Sequence, residues 1–165
     1  MNDNIQYFLA SLLKGSGRTL SAAESCTGGE ISHLITTVSG SSEYYLGSVT
    51  SYAVSVKEKL LGVPARTIDE YGVVSAEVAA AMAEGVRKAT GSTYSVSTTG
   101  LAEGGDGRYP EGTVWMAVSG PGGTRTRIYN CNLGREGNIL RFAMEALGFL
   151  TEYIKEDLAD KGNPA

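Results

Sequence analysis

Ala23-Glu24-Ser25-Cys26-Thr27-Gly28-Gly29 is the stretch on which the reading of this chain turns. Before it, residues 18–22 look extended. After it, Ile31, Leu34, Ile35 and Val38 recur at helical spacing. The seven residues therefore place a serine, a thiol, a threonine and two glycines at a strand-to-helix turn. There the first N–H groups of the helix lack intrahelical partners, and the helix dipole presents positive charge. Such a turn is suited to binding an anion, or to holding an oxyanion that develops beside a nucleophilic Ser25. It also has a plain structural reading. Thr27 and Glu30 have the spacing of a capping box, and glycines let a chain bend into a helix.

Outward from this turn the other elements follow from periodicity. Residues 5–13 read as a helix with Ile5, Phe8, Leu9, Leu12 and Leu13 on one face, stopped by Gly15-Ser16-Gly17. A strand is expected at 46–53, a short helix at 55–61 and a helical turn at 64–71. Ser75 caps an alanine-rich helix that runs to residue 89 and is broken by Gly91. Residues 92–98 read as a strand that empties into a glycine-rich loop, 100–107. Segments 112–119 and 124–131 flank Gly120-Pro121-Gly122-Gly123, a hairpin signature. A last helix is expected at 136–155, with a frayed tail at 157–165. Strands alternating with helices, plus one hairpin, predict a three-layer α/β/α single domain with a mixed sheet over residues 1–165.

Composition bounds the function. At 165 residues the chain suits one domain, able to bury about two-thirds of the surface its unfolded form exposes. A net charge of −4 and scattered basic residues argue against nucleic acid as a partner. No stretch is long and apolar enough to predict a membrane span, and the first residues lack the basic start of a signal peptide. Two cysteines far apart and one histidine, His33, rule against a zinc site and fit reduced thiols in a cytoplasmic protein.

With so little histidine, a Ser-His-Asp triad is poorly supported, and His33 reads as a helix residue beside Leu34 and Ile35. A serine can instead be activated by a lysine kept neutral by burial. Lys57 is the candidate, five residues after Tyr52 and just beyond the strand expected beside the turn; Tyr52 has a hydroxyl able to relay or orient a proton. As a plain alternative, Lys57 is a solvated helix residue. The loop after Thr98 lacks both the Walker pattern and GxGxxG, yet it leaves a strand end, where open α/β sheets bind ligands.

The chain resembles the CinA C-terminal domain family. The resemblance is carried by Ala23–Gly29, by Gly40-Ser41-Ser42-Glu43-Tyr44-Tyr45-Leu46-Gly47, and by the run from Ser48 to Val63. Tyr71-Gly72-Val73-Val74-Ser75, Thr99-Gly100-Leu101-Ala102 and Glu111-Gly112-Thr113-Val114-Trp115 complete it. It covers nearly the whole chain. Longer CinA proteins carry a further N-terminal domain, so the resemblance is to the stand-alone form.

That resemblance implies hydrolysis of the carboxamide of nicotinamide mononucleotide to nicotinate mononucleotide and ammonia, in pyridine-nucleotide salvage. It implies no metal or cofactor, a small-molecule nucleotide partner, and a homo-oligomer. Ser25 is then the nucleophile, Lys57 the general base and Tyr52 an assistant in the proton path. Substrate contacts are expected from Thr27, Gly28, Gly29, Ser41, Ser42, Thr99 and Gly100. Arg135 or Arg141 is expected to hold the phosphate, with Glu103 turned away or paired with a base such as Arg108. The chain departs from the family at Val54, where a polar residue is usual, and at Glu103, where glycine is. Those departures support the alternative of a non-catalytic module that binds a nucleotide or a partner.

Overall fold

A computed structural model of the chain describes residues 4–162. Five strands form one mixed sheet in the order β2-β1-β3-β4-β5. They are β1 (Leu20–Glu24), β2 (Tyr45–Thr50), β3 (Tyr94–Leu101), β4 (Thr113–Gly120) and β5 (Gly123–Asn130). β2, β1 and β3 run parallel, and β4 pairs antiparallel with β3 on one side and with β5 on the other. Helices α1 (Ile5–Leu13), α2 (Glu30–Thr36) and α6 (Gly134–Lys161) cover one face. Helices α3 (Val54–Leu61), α4 (Ala65–Tyr71) and α5 (Ala76–Thr90) cover the other. This is the three-layer α/β architecture with a mixed sheet that the alternation of elements predicts.

The larger core lies under α1, α2 and α6. There Leu9, Leu13, Ile31, Phe142, Leu147 and Leu150 pack on Leu20, Val96, Val114, Met116 and Val118. Beneath α5 the packing uses small groups. Val78, Ala79, Met82, Ala83 and Val86 make its buried stripe. Ser95 and Ser97 of the central strand β3 donate hydroxyls to the carbonyls of Ala83 and Ala79, both at 2.6 Å. Buried hydroxyls thus find partners in the helix backbone, which lets α5 lie close to the sheet.

Register decides what lies where. Glu24 is level with Thr50 on one side and Thr98 on the other. Ser25, Ser51 and Thr99 therefore follow at one end of the parallel strands. From β1 the chain goes to β2 on one side and later returns to β3 on the other, so the reversal of strand order falls at Ser25. Open sheets place ligands at such switch points.

One expectation fails at the far end. Residues 157–161 do not fray: α6 continues to Lys161, and Asp157 accepts hydrogen bonds from the Tyr94 hydroxyl (2.5 Å) and the Lys161 ammonium (2.9 Å). The polar run hides a helix end docked on β3. Residues 163–165 lie outside the described residues. Among the described residues no helix is long and apolar enough to cross a membrane.

Candidate active site

Ser25 is placed by the sheet. Its N–H donates to the Thr98 carbonyl at 3.1 Å, carrying the β1–β3 pairing one residue past β1. Across the other edge, Ser51 donates its N–H to the Glu24 carbonyl at 2.7 Å. The chain then turns into α3, whose first turn brings Lys57 back over the strand ends. The side chain of Lys57 is wholly buried. Its Nζ lies 2.8 Å from Ser25 Oγ, 2.5 Å from the Ser51 carbonyl and 3.3 Å from the Tyr52 carbonyl. Burial lowers the Lys57 pKa, opposed by the neighbouring Cys26. Two of the three partners are carbonyls, which only accept. When Lys57 is neutral its two N–H groups satisfy them, and its lone pair is left for the one partner that can donate, the Ser25 hydroxyl. The two residues singled out in the sequence thus meet in hydrogen-bonding geometry.

Cys26 is next to Ser25 and is buried with it. Burial pushes its thiol up to about 12, against a weaker downward pull from the Thr98 hydroxyl. At neutral pH it stays a thiol, and thiols react as thiolates.

The turn itself departs from its expected form. Gly28 and Gly29 both have positive φ, at 59° and 108°, which a side chain would strain. Gly29, and not Thr27, is the N-cap of α2. The capping group is the carboxylate of Glu24, wholly buried. Its Oε1 accepts from the N–H groups of Gly29 (3.2 Å) and Ile31 (2.9 Å), and its Oε2 from that of Ser32 (3.1 Å). Gly28 N–H is used by the Ser25 carbonyl at 3.0 Å. Gly28 and Gly29 are therefore spent within the turn and offer no donors to a ligand. Thr27 points inward, its hydroxyl on Glu24 Oε1 (2.7 Å) and Thr98 Oγ1 (2.8 Å). Among the described residues, the N–H groups of Cys26 and Thr27 bond to no other residue. Sequence inspection missed Glu24. The available signal was a carboxylate ending a strand that is otherwise apolar or small.

Ser25 and Cys26 open into a cavity of about 500 Å³ lined also by Tyr52, Val73, Val74, Gly100, Leu101, Ala102, Glu103, Asp106 and Arg135. A larger hollow, of about 770 Å³, lies beyond Arg135 against Leu133 and Leu140 and contains neither the serine nor the lysine. The Tyr52 hydroxyl accepts from Arg135 at 3.2 Å, so it faces the cavity mouth and not the serine–lysine pair; it is the Tyr52 backbone carbonyl that meets Lys57. Arg135 also lies 3.7 Å from Glu103. Arg108, the partner expected for Glu103, instead donates to the Tyr71 carbonyl at 2.7 Å.

Four expected contacts lie elsewhere. Ser41 and Ser42 form a 3-10 turn just before β2. Parallel pairing of β2 with β1 puts that turn at the opposite end of the sheet, roughly 15 Å away for a strand of this length. Thr99 is buried and donates to the Val73 carbonyl at 2.9 Å, so its hydroxyl is structural. Arg141, in α6, lies 3.9 Å from Glu145, and it does not line the cavity. His33 is exposed on α2.

The family model of the CinA C-terminal domain matches residues 2–154. The chain belongs to the CinA C-terminal domain family. It is 46% identical over 150 residues to a CinA-like protein of Geotalea daltonii, covering 90% of this chain and 36% of that protein. It is also 46% identical over 145 residues to a CinA-like protein of Salinibacter ruber, covering 87% and 35%. The chain thus spans about a third of the length of these relatives. Among solved structures, a CinA superfamily protein of Klebsiella pneumoniae superposes with a TM-score of 0.89 at 26% identity, over 94% of this chain and 99% of that one. A competence or damage-inducible protein of Enterobacter asburiae gives 0.87 at 28% identity, over 91% and 96%. The fold of this chain is therefore that of the CinA superfamily structures over more than nine-tenths of its length.

Proposed function

We propose that this CinA domain is an amidohydrolase that converts nicotinamide mononucleotide and water to nicotinate mononucleotide and ammonia through a serine–lysine mechanism. The carrying observation is the buried contact of 2.8 Å between Lys57 Nζ and Ser25 Oγ. Neutral Lys57 takes the hydroxyl proton as Ser25 Oγ attacks the carboxamide carbon. The negative charge that forms on the carboxamide oxygen is met by the unengaged N–H groups of Cys26 and Thr27. Each such donor is typically worth roughly 3–4 kcal/mol to the transition state. Collapse of the intermediate breaks the C–N bond, and the lysine returns its proton to the leaving nitrogen, releasing ammonia. Water then attacks the acyl-serine with Lys57 again as base, regenerating the Ser25 hydroxyl.

Arg135 is the charged group at the mouth that suits a phosphate, with Tyr52 holding it in place. Purified protein is expected to release ammonia from nicotinamide mononucleotide, and Ser25→Ala to abolish it. Failure of the wild-type protein to release ammonia overturns the assignment.

A second reading is favoured by one observation: Glu103 lines the same cavity and stands beside Arg135. On that reading the domain binds a ligand without turning it over. Glu103→Gln separates the two. Little change in nucleotide affinity fits the hydrolase, in which phosphate displaces a weak exposed pair. A large gain shows that the carboxylate obstructs the phosphate and favours the binding module.

A further inference from the structure

The residue before the nucleophile holds the site together from both sides. The main-chain carbonyl of Glu24 accepts the Ser51 N–H at 2.7 Å and the Ser51 hydroxyl at 3.3 Å. The Ser51 carbonyl in turn accepts from Lys57 Nζ at 2.5 Å. The side chain of Glu24 reaches the other way. It takes four hydrogen bonds from Thr27 Oγ1 and the N–H groups of Gly29, Ile31 and Ser32. The three residues between these anchors are Ser25, Cys26 and Thr27, which carry the nucleophile and the two unengaged N–H groups.

We propose that Glu24 is a positioning residue whose buried carboxylate fixes the Ser25–Thr27 turn so that the Ser25 hydroxyl stays on Lys57 and Ser25 and Cys26 stay at the cavity. This rests on the reading of Ser25 as nucleophile and adds to it. A wholly buried carboxylate is a poor device for stability alone, since its desolvation offsets much of what its hydrogen bonds return. What four convergent donors give is one conformation for a turn that contains two glycines at positive φ and would otherwise sample many.

Glu24→Gln tests this without changing the shape of the side chain. The amide oxygen can still accept from Thr27 and Ile31, but its NH2 group then faces the Ser32 N–H, donor against donor. The readout is labelling of Ser25 by a small aryl sulfonyl fluoride, located by mass spectrometry, with the maximal rate separated from probe affinity. No substrate need be assumed. Wild type is expected to label at Ser25. Glu24→Gln, assayed below its melting temperature, is expected to label roughly 10- to 100-fold more slowly at saturating probe, the scale of a misplaced reacting group, with probe affinity changed less than threefold. Thr27→Val, which removes one of the four donors at constant shape, is expected to fall between the two. A folded Glu24→Gln that labels within twofold of wild type overturns the proposal while leaving Ser25 as the nucleophile. If Glu24→Gln does not fold, Thr27→Val decides, and a wild-type rate there overturns it. A wild-type protein that does not label at Ser25 removes the nucleophile reading, and this inference falls with it.

Discussion

Lys57 carries a lowered pKa chiefly because nothing but protein surrounds it. Both activity and stability are therefore expected to rise with pH, and they are read out separately. On the proposed mechanism Lys57 must be neutral to act as base, so activity is expected to rise with pH along a limb displaced below the ordinary lysine value of about 10.4. Lys57→Arg is expected to lose at least roughly 100-fold at every pH tested, because a guanidinium does not deprotonate. A rate for that variant close to wild type would require another base. In folding, the unfolded chain holds the lysine proton more tightly than the folded one. Stability therefore gains with pH between the folded and unfolded pKa values, and urea midpoints measured across the alkaline range are expected to show that gain in wild type and not in Lys57→Met. The serine and the lysine were legible as residue types because a chain with one exposed histidine has few other ways to activate a hydroxyl. Glu24 was not, because a carboxylate at a strand end looks like a solvent-facing residue until its four donors are seen.

Helix α3 is where an element, and not a residue, sets the chemistry. Lys57 lies one turn before Leu61, and Leu61 is packed on α5 at Gly85. A β-carbon at Gly85 would stand 1.9 Å from the Leu61 carbonyl oxygen and 2.8 Å from its carbon. Gly85→Ala would favour α5 by about 1 kcal/mol on helix propensity alone. The collision is with backbone, which cannot rotate away, and overpacking of this kind typically costs about 1–3 kcal/mol. We expect a net loss of stability by thermal melting, together with slower Ser25 labelling because α3 is pushed from the strand ends. A more stable, fully reactive variant would show that α3 is free to shift. Periodicity made α5 and its Ser75 cap legible, and Ser75 does accept the Val78 N–H at 3.2 Å. The contact between α3 and α5 was not legible, since a glycine in mid-helix does not say which backbone will pass over it. Ser41 and Ser42 were misplaced for a related reason. Sequence order carries them near the turn, but the parallel register of β1 and β2 sends them to the other end of the sheet.

At the scale of the whole molecule, the two ends of the sheet have different duties. The switch-point end holds the serine–lysine pair, while the other end is closed by α6 docking on the start of β3. The alternation of strands and helices was enough to predict the layers, but the closure at residue 157 was not, because Asp157, Asp160 and Lys161 read as a solvated tail. Burial by itself would raise the Asp157 pKa, yet the Tyr94 hydroxyl and the Lys161 ammonium outweigh it and hold the carboxyl below its ordinary range. Tyr94 is wholly buried, and its own pKa is raised by burial and by that carboxylate. Asp157→Ala leaves the Tyr94 hydroxyl without its acceptor, a loss of about 1–3 kcal/mol for a buried polar group. The folded pKa of Asp157 is depressed, so its contribution is present above the unfolded value of about 3.9 and fades as pH falls through the folded one. The difference in stability between wild type and Asp157→Ala is therefore expected to be largest near neutrality and to shrink in acid. Ser25 labelling, at the opposite end of the sheet, should be unchanged at neutral pH below the melting temperature. A stability difference that is constant down to pH 2 would show that the carboxylate charge has no part in holding α6. A fall in labelling would show that the two ends are mechanically coupled through β1 and β3, which run paired from Leu20 and Tyr94 to Glu24 and Thr98.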